Sequence, residues 1–98
     1  YEGGCPLMNA AVEADDTNPI LREQAFNMLA QFKESLRKII DNGIANGQVK
    51  EGTDATFHAT IFIATLEGGI MMSKLEKSND AILKTIAHLK SLVSEIMK

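Results

Sequence analysis

What this sequence has little of excludes several classes of function. The chain of 98 residues contains one cysteine, two prolines and no tryptophan. A single cysteine cannot close an internal disulfide, which agrees with a reducing compartment, and we predict the cytoplasm. The ten basic residues are scattered and the net charge is −3. Binding to nucleic acid needs a clustered basic face, so we do not expect this chain to bind nucleic acid by itself.

Signals for membrane insertion and secretion are also missing. The uninterrupted apolar runs fall far short of the roughly 20 residues that a bilayer span requires. No signal-peptide pattern is present, so we predict a protein that has no membrane contact. The chain opens on Tyr1 rather than on methionine, within the letters YEGG, and we therefore expect it to be a piece of a longer protein.

Side chains for catalysis or metal binding do not form a recognisable pattern. His58 and His88 lie far apart, without cysteines or carboxylates at the spacing of metal ligands. The sequence has no glycine-rich phosphate loop and no nucleophile motif. We therefore predict no catalytic residue, no metal site, no cofactor and no enzymatic activity.

The apolar residues that are present follow the helical period, and strand-like alternation is absent. Hydrophobic residues make up 45% of the chain, as in a globular domain. The spacings predict an all-α domain with one short and three long helices. These are residues 5–14, Pro19 to about Asn46, residues 54–77 and residues 80–98. Asn18 followed by Pro19 is a strong helix-start signal, and Gly47 is the expected residue after the helix end.

The segment from Phe57 to Leu75 is apolar on two opposite sides of its predicted helix. At about 100° per residue, two groups form. Stripe A contains Phe57, Ile61, Ala64, Gly68, Met71, Met72 and Leu75, and stripe B contains Ala59, Phe62, Ile63, Leu66, Gly69 and Ile70. A helix with two apolar stripes must be covered from both sides. In a chain this short, we expect a second copy of the same chain to supply one cover.

The residues leave open which stripe faces the partner, and we predict stripe B. Gly69 and Ser73 are small and lie one turn apart, which would let two helices approach closely. The last predicted helix would contribute its own apolar seam, at spacings of three and four. The predicted dimer interface therefore comprises Phe62, Leu66, Gly69, Ile70, Ser73, Ile82, Ile86, Leu89, Val93 and Ile96.

Three short motifs occur in order along the chain: Gly4-Cys5-Pro6-Leu7, the acidic segment from Asp15 to Pro19, and Glu67-Gly68. Together with the predicted helices, this order resembles the C-terminal domain of TetR-family transcriptional regulators. The resemblance covers nearly the whole chain and implies a single domain, residues 1–98. It also implies that the last two helices pair with those of a second subunit in a four-helix bundle.

The resemblance further implies an effector-sensing and homodimerisation domain of a repressor. A small apolar or amphipathic molecule would control DNA binding by an N-terminal helix-turn-helix domain, which this chain does not contain. The pocket for that molecule would be lined by Met8, Phe26, Leu29, Phe32, Phe57 and Ile61. The alternative is a purely structural helical dimerisation module without a ligand, in which the methionines and phenylalanines are ordinary core residues.

Overall fold

The computed structural model describes residues 18–98, which form three helices. They are α1 (Pro19–Ala45), α2 (Ala55–Glu76) and α3 (Asp80–Ile96). The prediction of an all-α fold with three long helices is confirmed. The predicted short helix at residues 5–14 lies outside the described residues, and the four-helix bundle with a second subunit stays a prediction.

The start and end of α1 follow from its sequence. The Leu21 N–H donates to the side-chain oxygen of Asn18 (3.0 Å), and Pro19 occupies the first helical turn, where a missing N–H costs little. The helix ends at Ala45, with Asn46 as the C-cap. Gly47 follows with a φ of 76°, a left-handed conformation that glycine adopts without steric cost. The predicted boundaries are therefore confirmed.

The connection between α1 and α2 packs tightly against the end of α1 and the residues after α3. Val49 is buried, and a Cβ placed on Gly43 would lie 2.6 Å from its Cγ2 atom. The same connection pairs with the end of α3 in an isolated antiparallel bridge between Val49 and Met97. Asp54 then caps α2 by accepting a hydrogen bond from the Phe57 N–H (3.0 Å). The connection is thus fixed at both ends.

The start of α3 is stabilised by a residue that the sequence did not indicate. Asn79 occupies the N-cap position, but its side chain makes no capping hydrogen bond. Ser78 accepts one from the Asp80 N–H (3.1 Å). The Ile82 N–H instead donates to Oγ of Ser73 in the preceding helix (2.9 Å). Helix α2 therefore supplies part of the cap of α3.

Helix α2 is the centre of the domain and packs against both α1 and α3. The described body is thin, with extents of 44 × 32 × 15 Å. Its buried apolar side chains are few and mostly small: Ala25, Val49, Ala55, Ala59, Ile63 and Leu89. Many larger apolar side chains are exposed, so the three helices leave much apolar surface uncovered by one another.

By length and composition alone, α2 would also be long and apolar enough to cross a bilayer, although its uninterrupted apolar runs are short. Within residues 18–98 it alone meets this test. The core helix of a soluble protein meets the same test. In this domain α2 lies between two other helices, and 22% of the apolar window is buried within the described residues.

Candidate functional site

The two apolar stripes of α2 have different surroundings. On stripe B, the buried residues are Ala59, Ile63 and Gly69, while Phe62, Leu66 and Ile70 are partly exposed. On stripe A, Phe57 is 57% and Leu75 is 76% exposed. The prediction that the segment is apolar on two sides, of which its own chain covers one, is therefore confirmed for the described residues. The covered side is stripe B, so its buried residues do not face a partner as predicted, whereas Phe62, Leu66 and Ile70 keep exposed surface.

Two residues of the predicted interface have a role inside the subunit. Gly69 is buried against Thr85 of α3, and Ser73 is fully buried, with Oγ bound to the Ile82 N–H. The close helix approach that these small residues permit is thus made between α2 and α3 of one chain. For Gly69 and Ser73, the reasoning from size was correct about close packing but assigned it to the wrong partner.

Five other residues of the predicted interface do come together on one surface. They line an apolar groove of about 470 Å³ between α2 and α3, which we call the α2–α3 groove. Its apolar walls are Phe62, Leu66, Ile86, Leu89 and Val93. Ile86 and Val93 are each 39% exposed. This surface is continuous along the last two helices, as a helix-on-helix contact requires.

Lys90 and Ser94, which were not among the predicted interface residues, complete the α2–α3 groove. Both are exposed residues on the side of α3 next to Ile86. A polar edge beside an apolar centre is the usual arrangement of a protein–protein interface. The signal was present, because Lys90 and Ser94 lie four and eight residues after Ile86 and so share its side of the helix. The remaining predicted interface residues, Ile70, Ile82 and Ile96, do not line this groove.

The predicted ligand residues are only partly brought together. Phe26 and Leu29 line an open groove of about 310 Å³ between α1 and the first turns of α2, which we call the α1–α2 groove. Phe32, Phe57 and Ile61 are not among its lining residues. Met8 lies outside the described residues. The predicted pocket as a whole therefore stays a prediction, and two of its members share an observed groove.

The α1–α2 groove also has charged and polar walls that were not predicted. They are Lys33, Glu34, Arg37 and Thr56. Leu29, Lys33 and Arg37 follow each other at intervals of four, so they occupy one face of α1. This periodicity could have revealed the cations, but the position of Thr56 depends on how α2 packs against α1. The groove therefore combines an apolar floor with a charged rim.

The charges of this rim are organised around Arg37. Its Nε–H donates to Oε2 of Glu34 (3.0 Å), and its guanidinium also pairs with Asp41. The hydrogen bond from Arg37 lowers the pKa of Glu34, and the same contact raises the pKa of Arg37. Lys33 has no carboxylate partner among the described residues. Its ammonium group adds a positive charge to the wall of the groove.

Metal binding has no visible site in this part of the chain. Across residues 18–98, no group of three or more histidine, cysteine, aspartate or glutamate side chains could hold a metal ion. The surfaces described above can accommodate apolar and amphipathic molecules or another helix. The side chains of both grooves are therefore suited to non-covalent binding.

Known proteins resemble this chain over nearly its full length. Residues 1–89 match the family described as "Tetracyclin repressor-like, C-terminal domain". Among solved structures, the chain is similar to a TetR transcriptional regulator from Chloroflexus aurantiacus J-10-fl, with 34% identity and a TM-score of 0.91. It is also similar to a TetR-family transcriptional regulator from Cytophaga hutchinsonii, with 35% identity and a TM-score of 0.93. No curated protein matches.

Each structural alignment covers 97% of this chain and 48% of the regulator, so the chain spans about half the length of these relatives. The family match covers the N-terminal residues, α1, α2 and the first part of α3. The chain therefore belongs to the TetR family of transcriptional regulators and corresponds to the C-terminal domain of that family.

Proposed function

We propose that this chain is the effector-sensing and homodimerisation domain of a TetR-like transcriptional repressor. Domains of this class typically sense ligands and dimerise in transcriptional regulators, which are generally not enzymes. The observation that carries the proposal is the α2–α3 groove, with its five apolar side chains on the last two helices. In this proposal, residues 1–98 act as one C-terminal domain in the cytoplasm.

The dimer contact follows from the shape and chemistry of this groove. Partly exposed Ile86 and Val93 flank buried Leu89, so α3 presents an apolar edge beside α2. Two copies related by a two-fold axis would each place this edge in the groove of the other. The resulting arrangement is a four-helix bundle with an apolar centre, while Lys90 and Ser94 stay at the rim.

Light scattering coupled to size-exclusion chromatography tests this interface with two matched variants. Ile86→Glu places a carboxylate in the apolar centre and should weaken dimerisation by about 100-fold or more, because central apolar contacts dominate such interfaces. Met71→Glu adds the same charge on stripe A, at the opposite side of α2 and 44% exposed in the subunit, and should leave the dimer intact. A monomeric wild-type chain at micromolar concentration would contradict the proposal.

The effector would bind at the α1–α2 groove, where Phe26 and Leu29 supply apolar contacts and Lys33 supplies a positive charge. Such a combination suits a small apolar or amphipathic molecule. Binding to the native state alone raises the melting temperature. A thermal-shift panel of apolar and amphipathic compounds should therefore contain stabilising members, and Leu29→Asp should abolish their effect. A panel without any shift would favour the structural dimerisation module that binds no ligand.

DNA binding, and its control by the effector, would require the part of the regulator that this chain does not span. The relatives are about twice as long, which supports a helix-turn-helix domain elsewhere in the full protein. In that protein, effector binding would change the spacing of the two DNA-binding domains of the dimer. The test is operator binding by the full-length regulator with and without a compound that stabilises this domain.

A further inference from the structure

A third cavity, which we call the junction cavity, lies where all three helices meet. It has a volume of about 190 Å³ and eleven lining residues. Ten of them are apolar, and His58 is the exception. Among the described residues, none of those predicted for the effector pocket lines it. The cavity is therefore a separate site from the α1–α2 groove, although Ala59 borders both.

The walls of the junction cavity are held by backbone contacts between distant parts of the chain. Val49 of the α1–α2 connection and Ile96 at the end of α3 both line it. The Lys50 N–H donates to the carbonyl of Ile96 (2.8 Å), and the Lys98 N–H donates to the carbonyl of Gln48 (3.0 Å). These bonds fasten the connection to the end of α3. At this end, two backbone hydrogen bonds therefore hold the wall of the cavity in place.

The size of the cavity restricts the occupant to a small molecule. Sites for drug-sized ligands have about 300–1,000 Å³, whereas an apolar protein cavity of about 150 Å³ accepts a single benzene ring. A volume near 190 Å³ therefore leaves room for one ring with a small substituent. A volume of this size does not enclose two fused rings with substituents.

The lining also indicates the chemistry of the occupant. His58 and Phe62 lie one turn apart on α2, so two aromatic side chains border the cavity from the same helix. The His58 ring makes an edge contact with the ring of Phe57, with centroids 5.4 Å apart and an interplanar angle of 87°. This contact restrains the imidazole, which can donate or accept a hydrogen bond. We propose that the junction cavity binds a molecule of one aromatic ring carrying a hydroxyl group, with His58 as its hydrogen-bonding partner.

Protein-detected NMR titration of the 98-residue chain tests this proposal with phenol and benzene as probes. Phenol should cause saturable shifts of amides around the cavity, at residues such as Val49, His58 and Ile96. Benzene should bind at the same place about three- to tenfold more weakly, because it lacks the hydroxyl group. Shifts centred on Phe26 and Leu29 instead, or no saturable shift at the highest phenol concentration that the fold tolerates, would overturn the proposal.

Two variants separate the cavity from non-specific binding. Leu92→Phe adds volume to a lining residue and should weaken phenol binding at least tenfold, whereas Leu83→Phe, on the same helix but outside the cavity, should leave it unchanged. His58→Phe keeps a ring but removes the polar group, and should bring the affinities for phenol and benzene to within about twofold. Equal phenol binding by Leu92→Phe and Leu83→Phe, or an undiminished phenol preference in His58→Phe, would refute the assignment.

Discussion

Gly69 of α2 lies directly against Thr85 of α3, and a Cβ added to Gly69 would fall 2.8 Å from Cβ of Thr85 and closer still to its hydroxyl oxygen. The Thr85 hydroxyl is fixed by a hydrogen bond to the carbonyl of Ala81 (2.9 Å). Because Cβ of Thr85 is attached to the helix backbone, relief requires the two helices to separate. We expect Gly69→Ala to lower the free energy of unfolding by about 1–3 kcal/mol in urea denaturation.

The neighbouring glycine provides the control for this experiment. A Cβ on Gly68 meets no described atom within 4 Å. Alanine is favoured over glycine in a helix by up to about 1 kcal/mol, so Gly68→Ala should stabilise the chain slightly. Equal effects of the two substitutions would show that the contact between α2 and α3 is looser than the structure describes.

Ser73 should be needed for the stability of α3 although it belongs to α2. Its Oγ accepts the Ile82 N–H, one of the helix-start amides that lack an intrahelical partner. Ser73 is fully buried, so Ser73→Ala would leave that amide unsatisfied. We expect a loss of about 1–2 kcal/mol in the free energy of unfolding. Ser78→Ala removes an exposed hydrogen bond from the Asp80 N–H and should lower the free energy of unfolding by less. A larger loss for Ser78→Ala than for Ser73→Ala would contradict the assigned role of Ser73.

Gly43 and Val49 should be energetically coupled. A Cβ on Gly43 would lie 2.6 Å from Cγ2 of Val49 and 3.4 Å from its Cβ. Gly43→Ala alone should therefore destabilise the chain, by about 1–3 kcal/mol. In the Val49→Ala background the offending methyl is absent, so the same substitution should be nearly neutral. A double-mutant cycle measured by chemical denaturation should give a coupling of at least about 0.5 kcal/mol, and strict additivity would argue against the contact.

The contact between Arg37 and Glu34 should be visible as a pH effect. The guanidinium hydrogen bond lowers the pKa of Glu34, so the folded state binds a proton at this site less readily than the unfolded state. The contribution of this pair to stability is thus present above the ordinary glutamate pKa and is lost as pH falls through the lowered one. NMR titration of the Glu34 carboxyl should show a higher pKa in Arg37→Gln, and high salt should reduce the difference.

Local features of the fold could be predicted because their causes lie close together in the sequence. Asn18 and Pro19 start α1, and Gly47 follows its end, through contacts within one helical turn. The two apolar stripes of α2 also follow from periodicity alone. The short range of these interactions explains why the helix boundaries and the all-α fold agree with the sequence.

Contacts between helices could not be predicted in the same way. A small residue such as Gly69 indicates close approach but does not identify the approaching helix, and the neighbour is Thr85 of the same subunit. Ser73 caps α3 from nine positions before Ile82, a distance that local capping rules do not consider. The junction cavity could not be predicted from the sequence, because its walls come from three helices. The periodicity within each helix does not show how the helices are positioned relative to one another.

The bridge between Val49 and Met97 links two segments that lie far apart along the chain. It joins the connection after α1 to the residues that follow α3. The segment that contains α2 and α3 is therefore held together at its two ends. Replacement of Met97 and Lys98 by flexible residues that do not pair with the connection would therefore remove the bridge and the hydrogen bond from the Lys98 N–H to Gln48. The connection between α1 and α2 would then be free to move, so a change after α3 would alter how α1 packs against α2.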